Sequence, residues 1–181
     1  SARNYGVELE ATFRPGVNTT IRVYGTYLNA KYTDFCNGYY AAGSASRPQY
    51  PTCATDPALV DLSGNRLSNA PKFTVAAFAD QRFDLGGSGF LDLSADINLQ
   101  DEVFFTEFNN ADARQEAFAL VNASITYRSP DERWSLALWG KNLTDKYALA
   151  NTIISAPLYS FVSVGSLRPP RTYGVTLGVD F

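Results

Sequence analysis

The last stretch of the chain, Thr172-Tyr-Gly-Val-Thr-Leu-Gly-Val-Asp-Phe181, decides the fold. Its odd-numbered positions are all apolar or aromatic: Tyr173, Val175, Leu177, Val179 and Phe181. The positions between them are small or polar, so the pattern repeats every two residues. Because the side chains of a β-strand point alternately to its two faces, this period predicts a strand with one apolar and one polar face.

The same period recurs in other segments of the chain. Between Leu91 and Gln100, leucine, alanine and isoleucine alternate with Asp92, Ser94, Asp96, Asn98 and Gln100. The alternation is also strict in residues 5–13 and 118–128, and it is looser in residues 19–33, 72–84 and 134–146. We therefore predict an all-β protein with about seven long strands.

The connections between these segments alternate between short and long. The short ones, near residues 14–17, 86–89 and 129–132, consist mostly of turn residues. The long ones run from about residue 34 to 70, 105 to 117 and 148 to 170. Strands of about ten residues joined in this way are typical of an antiparallel transmembrane β-barrel, with short periplasmic turns and long extracellular loops.

A soluble β-sandwich or jelly roll is the main alternative, because its strands also alternate. Sandwich strands usually have about five or six residues, and the segments here are about twice as long. A bacterial single-chain barrel has an even number of strands, at least about eight. Seven strands therefore predict a segment of a larger barrel, and we expect its other strands and any export signal to lie upstream of Ser1.

Composition narrows the possible functions. The chain has 181 residues, of which 45% are hydrophobic, 14% aromatic and 18% charged. A formal net charge of −3 argues against binding to nucleic acid, which requires clustered Lys and Arg. No apolar run approaches the roughly 20 residues that a membrane-spanning helix needs.

The two cysteines, Cys36 and Cys53, lie in the first long connection, which is rich in Tyr, Gly, Ser and Pro. This position favours a disulfide that closes a loop in an oxidising compartment, and two free thiols are the alternative. The chain contains no His, so the usual ligand sets for zinc are missing and we expect neither a metal nor a cofactor.

The polar residues give little support for catalysis. Without a histidine, no serine has the usual base, so we do not expect an enzyme. The pairs Glu8/Glu10 and Asp92/Asp96 each share a strand face, as glycosidase carboxylates can. We interpret them instead, together with Asn98, as facing a water-filled lumen or a domain inside it.

Three stretches of the sequence carry a family resemblance. They are residues 61–73, Gly140-Lys-Asn-Leu-Thr-Asp-Lys-Tyr147, and Pro170-Arg-Thr-Tyr-Gly followed by the terminal Phe181. In this order and position they resemble the C-terminal region of TonB-dependent receptors. The resemblance extends over residues 1–181 and implies strands 16 to 22 of a barrel of about 22 strands, without the plug domain that fills such barrels.

The resemblance also implies a function and partners. Such receptors take up scarce nutrients, such as metal–siderophore complexes, cobalamin or glycans, across the outer membrane of Gram-negative bacteria. It implies as partners an N-terminal plug domain, the TonB energy-transducing protein, outer-membrane lipid and a small nutrient ligand. A porin-like barrel and a soluble carbohydrate-binding β-sandwich are the alternatives that the sequence leaves open.

Binding residues tend to lie on loops that a rigid scaffold holds. The aromatic residues well inside the long connections are Tyr39, Tyr40, Tyr50 and Tyr159. Contact with a ligand and packing within the loops are both compatible with their positions. In the last strand, we expect Tyr173, Val175, Leu177, Val179 and Phe181 to face lipid.

Overall fold

The structure, a computed structural model, describes residues 1–37, 51–56, 59–154 and 163–180. In chain order, its strands are β1 (Ala2–Gly16), β2 (Thr19–Tyr32), β3 (Cys36–Asn37), β4 (Val60–Asp61), β5 (Phe73–Asp84), β6 (Phe90–Gln100), β7 (Val103–Phe104), β8 (Arg114–Gln115), β9 (Phe118–Arg128), β10 (Trp134–Lys141), β11 (Leu149–Ile154), β12 (Ser163–Leu167) and β13 (Thr172–Val179). Two short 3₁₀ turns, Gly86–Ser88 and Ala111–Ala113, lie between strands. In the described part of the chain, no helix is long and apolar enough to cross a membrane.

Seven of these strands form one sheet in the order β1-β2-β5-β6-β9-β10-β13, and every pairing is antiparallel. Neighbours in the sheet are consecutive long strands of the chain, as in a meander. The prediction of seven long antiparallel strands is confirmed. The sheet is open, with β1 and β13 at its edges.

The register of the sheet brings the apolar faces of all seven strands to one side. For example, Leu93 lies opposite Ile125, and Leu138 lies opposite both Ile125 and Val175. We call this side the apolar face; its larger residues include Tyr5, Val7, Leu9, Phe13, Ile21, Val23, Tyr27, Phe73, Val75, Leu91, Leu93, Ile97, Leu99, Val121, Ile125, Tyr127, Trp134, Leu136, Leu138, Tyr173, Val175, Leu177 and Val179. We call the opposite side the polar face.

Among the described residues, most of the fully buried apolar side chains lie outside the sheet. Leu62, Val103, Ala113 and Ala148 are at most 3% exposed, and all are in or beside the long connections. On the apolar face, by contrast, Val175 and Leu177 are 65% and 68% exposed. A β-sandwich would bury its apolar faces between two sheets. The apolar face of this sheet is exposed instead, which is not the arrangement of a β-sandwich.

Aromatic rings lie near both ends of the apolar face. The ring centres of Tyr27 and Phe73 are 5.1 Å apart near the long connections. Those of Tyr127 and Trp134 are 5.2 Å apart near the short connections. We call these ends the long-loop end and the short-turn end. Along β5, Phe73 and Phe83 are ten residues apart, about 33 Å of strand, which at a tilt of about 40° spans roughly 25 Å. This is about the height of the apolar band of a membrane barrel.

The turn between β9 and β10 is held by side-chain hydrogen bonds. The Ser129 hydroxyl donates to Asp131 Oδ1 at 2.6 Å and accepts from the Trp134 amide at 3.1 Å. The hydroxyl of Ser129, followed by the backbone N–H of Arg133, lowers the pKa of Asp131 below its usual value. Glu132 takes the left-handed conformation, with φ of 53°, which completes the reversal of the chain.

The predicted strand 134–146 was too long at its C-terminal end, because β10 ends at Lys141. Asn142 follows with φ of 50°, and its side chain accepts from the Lys146 amide at 3.0 Å and donates to the Pro169 carbonyl at 3.3 Å. The Leu143 amide then donates to Val121 O at 2.8 Å, continuing the contact of this segment with β9. The Asn-Leu-Thr-Asp-Lys-Tyr stretch therefore forms a turn that joins the two ends of the last long connection.

The long connections contain secondary structure of their own, which the periodicity did not predict. They form three two-stranded sheets, β3 with β4, β7 with β8 and β11 with β12. Cys36 at β3 is bonded to Cys53 in a disulfide with a Cα–Cα distance of 6.1 Å. The bond therefore joins two parts of the first long connection.

Candidate functional site

The polar face is the part of the sheet that carries chemistry. Its polar residues include Glu8, Glu10, Arg22, Thr26, Thr74, Asp80, Arg82, Asp92, Ser94, Asp96, Asn98, Asn122, Thr126, Arg128, Lys141 and Thr176. The five residues that the sequence placed in a lumen, Glu8, Glu10, Asp92, Asp96 and Asn98, all lie on this face. The sheet keeps the two acidic pairs apart, because β2 and β5 lie between β1 and β6.

Ion pairs across neighbouring strands balance most charges in the middle of the polar face. Arg22 donates to Asp80 at 2.8 Å, and Ser94 donates to the other oxygen of the same carboxylate at 2.8 Å. Asp92 accepts from Arg82 Nε and from Arg128 Nε, both at 2.7 Å. These partners hold the two carboxylates in place on the polar face.

Asp96 forms a second cluster on the polar face, in which its hydrogen-bond donors are uncharged side-chain amides. Its Oδ2 accepts from Asn98 Nδ2 and from Asn122 Nδ2, both at 2.8 Å. Asn122 in turn accepts from the Asn142 amide at 2.9 Å. The polar face is thus connected by hydrogen bonds to the turn that follows β10.

Two of the long connections pack together at the long-loop end through Arg66. Its guanidinium donates to the Glu102 carbonyl at 2.6 Å and to the Glu102 carboxylate at 3.3 Å, and lies 5.5 Å from the Phe104 ring centre. The Asn109 side chain accepts a hydrogen bond from the Arg66 amide at 2.7 Å and donates one to the Arg66 carbonyl at 3.0 Å. Arg114 donates to the other Glu102 oxygen at 2.9 Å. These bonds make one loop body of residues 59–72 and 101–117.

Asp61 lies at the edge of this loop body. Its carboxylate accepts from the Ser63 amide at 2.9 Å. Hydrogen bonds from the Ser63 side chain and then from its amide lower the pKa of Asp61 below the usual value. The same hydrogen bonds hold the turn that precedes Arg66.

A cavity of about 450 Å³ opens on the polar face below the loop body. Tyr24, Thr74, Asn98, Gln100 and Phe118 contribute to its walls from four neighbouring strands. Arg168, which follows β12, closes one side. Its volume is in the range of small-molecule sites, about 300 to 1,000 Å³.

Not all predicted site residues lie in the described part of the chain. Tyr39, Tyr40, Tyr50, Tyr159 and Phe181 are outside it, so their roles as ligand or lipid contacts stay predictions. The remaining members of the last strand, Tyr173, Val175, Leu177 and Val179, lie together on the apolar face. Within the described ranges, no group of three or more His, Cys, Asp and Glu residues could hold a metal ion.

Sequence reasoning missed Arg66 and Arg168, the two arginines that organise the long-loop end. Arg66 lies in one of the stretches that carry the family resemblance, and that was the only available signal. Nothing in the spacing of Arg168 connects it with Phe118 or Gln100. Their contact depends on how the last long connection folds back over the sheet.

Comparisons with known proteins agree with this architecture. The family model described as TonB dependent receptor-like, beta-barrel matches residues 1–143. No curated protein matches the chain in a sequence search.

Three solved structures resemble nearly the whole chain. The ferric yersiniabactin uptake receptor FyuA from Yersinia pestis has a TM-score of 0.74 at 19% identity over 99% of this chain. The ferric preacinetobactin receptor BauA from Acinetobacter baumannii has a TM-score of 0.67 at 20% identity over 99% of this chain. The siderophore receptor PiuA from the same organism has a TM-score of 0.68 at 17% identity over 97% of this chain. The chain spans 24%, 22% and 21% of the lengths of these three receptors.

Proposed function

Because the chain belongs to the β-barrel family of TonB-dependent receptors, we propose that it forms the C-terminal wall of an outer-membrane receptor for active nutrient uptake. The observation that carries this proposal is the two-sided sheet. The aligned apolar side chains of the seven strands form one continuous face, and the ion pairs Arg22–Asp80, Arg82–Asp92 and Arg128–Asp92 lie on the other. A wall between lipid and a water-filled lumen needs this arrangement.

The nutrient is a ferric siderophore rather than cobalamin or a glycan. Support comes from the similar structures, which are named as a ferric yersiniabactin uptake receptor, a ferric preacinetobactin receptor and a siderophore receptor. The residues that would touch the ligand lie at the long-loop end, where the loop body and the cavity meet. In this proposal the long-loop end faces the outside of the cell and the short-turn end faces the periplasm.

The whole receptor would need two partners. A plug domain inside the barrel would contact the polar face, where Glu8 and Glu10 lie on the exposed edge strand β1. TonB would supply energy for transport through a segment outside this chain. Residues 1–181 would then be strands 16 to 22 of the barrel.

Transport of labelled iron by the full-length receptor tests this function. We expect uptake of ⁵⁵Fe-siderophore by iron-starved host cells to fall to the background level when the receptor gene is deleted, and to return on complementation. Deletion of the tonB gene should abolish uptake while leaving binding to the cell surface. Unchanged uptake of every siderophore tested, in the receptor deletion strain, would contradict the proposal.

The proposed orientation can be tested separately on intact cells. An epitope inserted after Thr55, in the first long connection, should be labelled by antibody without permeabilisation. The matched insertion after Gly87, in a short turn, should be labelled only in permeabilised cells. The reverse pattern would show that the two ends have been assigned to the wrong sides of the membrane.

A further inference from the structure

We infer that Arg168 is the centre of an anion-binding subsite at the mouth of the polar face, which takes an oxyanion such as a carboxylate on a ligand that also carries a flat ring. This inference rests on the proposed function and deepens it, because it specifies the chemistry of the ligand that the receptor binds. It is carried by the position of Arg168, by its charge and by the cavity beside it.

Arg168 is held in place from three sides. Its amide donates to the Ala148 carbonyl at 2.8 Å, which fixes the backbone beside the last long connection. Its guanidinium carbon lies 5.2 Å from the centre of the Phe118 ring, and Phe118 is only 7% exposed. Its Nη2 donates to Gln100 Oε1 at 3.5 Å, a long hydrogen bond. The planar group therefore lies on an aromatic face with its orientation restricted before any ligand arrives.

The charge of Arg168 is not balanced by a carboxylate. The other half-buried arginines of the described residues each have an acidic partner within 4.0 Å: Arg22, Arg66, Arg82, Arg114 and Arg128. No such ion pair involves Arg168 in the same ranges, and its Nε is buried without a hydrogen-bond partner. A partly desolvated guanidinium with unused donors is unfavourable unless an acceptor arrives, and a bidentate oxyanion is the acceptor that fits its geometry.

The cavity beside Arg168 supplies the rest of the subsite. Arg168 is the only Arg, Lys, Asp or Glu among the residues that line the cavity, and the carboxylate of Asp96 beside Asn98 is already hydrogen-bonded to two side-chain amides. Tyr24 and Phe118 provide aromatic surface, and the side chains of Asn98 and Gln100 can hydrogen-bond to a polar ligand. A neutral sugar would leave the guanidinium without a counter-charge. The subsite therefore favours an anionic ligand over a neutral one of the same shape.

Benzoate and benzamide are suitable probes, because they have nearly the same shape and differ in charge. We expect the purified full-length receptor in nanodiscs to bind benzoate about tenfold more tightly than benzamide, as one charge-assisted contact predicts. Saturation-transfer NMR titrations measure both affinities. Binding to the purified receptor does not involve TonB, so its result is independent of the uptake experiment.

Arg168→Gln should remove the preference for benzoate and leave the affinity for benzamide unchanged. Arg168→Lys, which keeps the charge and loses the planar fork, should retain a few-fold preference. Arg133→Gln is the matched control, because it removes the same charge from an exposed site in a short turn; it should behave as wild type.

Two results would overturn the inference. The first is equal affinity of the wild-type receptor for benzoate and benzamide, which needs no variant to observe. The second is a preference for benzoate that survives in Arg168→Gln. A carboxylate of the plug that already occupies Arg168 would give the first result, so that case also contradicts the subsite.

Discussion

The indole of Trp139 lies across Gly174 of the neighbouring strand, on the polar face. A Cβ atom built on Gly174 would stand 2.1 Å from Cζ2 of the indole, far inside van der Waals contact. The indole Nε1 donates to the Thr176 hydroxyl at 3.1 Å. Gly174 therefore provides the space in which the large ring of Trp139 lies flat against the wall.

Gly174→Ala should destabilise the receptor, because the new methyl group displaces the indole and breaks its bond to Thr176. We expect a loss of about 1 to 3 kcal/mol, the usual cost of overpacking. The midpoint of thermal unfolding, followed by the loss of the compact band on unheated gels, measures the effect. Gly25→Ala is the control, because a Cβ atom there meets nothing within 4 Å.

A double variant distinguishes this clash from a general intolerance of β13. With Trp139→Ala already present, adding Gly174→Ala should cost much less than it does in the wild-type receptor. Full additivity of the two losses would contradict the proposed contact.

The faces of the sheet were predictable from the sequence, because alternation every two residues is a local property. Leu177 and Val175 needed only their spacing to be assigned to one face. Trp139 interrupted the alternation in β10, because its large ring lies on the polar face, in the space that Gly174 leaves on the neighbouring strand. The end of β10 at Lys141 was missed for a related reason: Asn142 ends the strand through contacts with Lys146 and Pro169, which only the folded turn supplies.

The loop body was beyond sequence reasoning. Its main contacts join residues such as Arg66 and Glu102, which belong to different connections. No regular spacing in the sequence indicates such pairs, because the positions of the two residues depend on the paths of two irregular segments. The cysteines were the exception, since two thiols in one connection have few possible partners.

Peptide analysis tests the bond between Cys36 and Cys53. Mass spectrometry of the unreduced receptor should recover peptides joined through these residues, and reduction should separate them. Closing this loop contributes about 3 kcal/mol in the chain-entropy model, so Cys36→Ser/Cys53→Ser should increase proteolysis in residues 34–70. Unmodified thiols at both positions in protein exported by its host would contradict the structure.

The Ser129–Asp131 turn predicts a specific dependence on pH. Its hydrogen bonds lower the folded-state pKa of Asp131 below the usual 3.8. The charged carboxylate therefore stabilises the turn above pH 3.8, and this contribution is lost as the pH falls through the lower, folded-state value. Asp131→Asn should lower the unfolding midpoint at neutral pH, and the difference from wild type should shrink in that acidic window.

Ser129→Ala is the companion variant for this prediction, because it removes the hydroxyl that is the main cause of the shift. It should also reduce the pH dependence of the unfolding midpoint. A difference between Asp131→Asn and wild type that stays constant from neutral pH to well below 3.8 would show that Asp131 does not act through its charge.

The two tryptophans of the chain, Trp134 and Trp139, test the central claim that one face of the sheet meets lipid and the other does not. Trp134 lies on the apolar face, 43% exposed, and Trp139 lies on the polar face. The measurement is ¹⁹F NMR of the full-length receptor labelled with 5-fluorotryptophan in vesicles, with resonances assigned from Trp134→Phe and Trp139→Phe. A lipid carrying a nitroxide near its headgroup should broaden the Trp134 signal strongly and leave the Trp139 signal sharp. Equal broadening of both signals, or broadening of Trp139 alone, would contradict the assignment of the two faces.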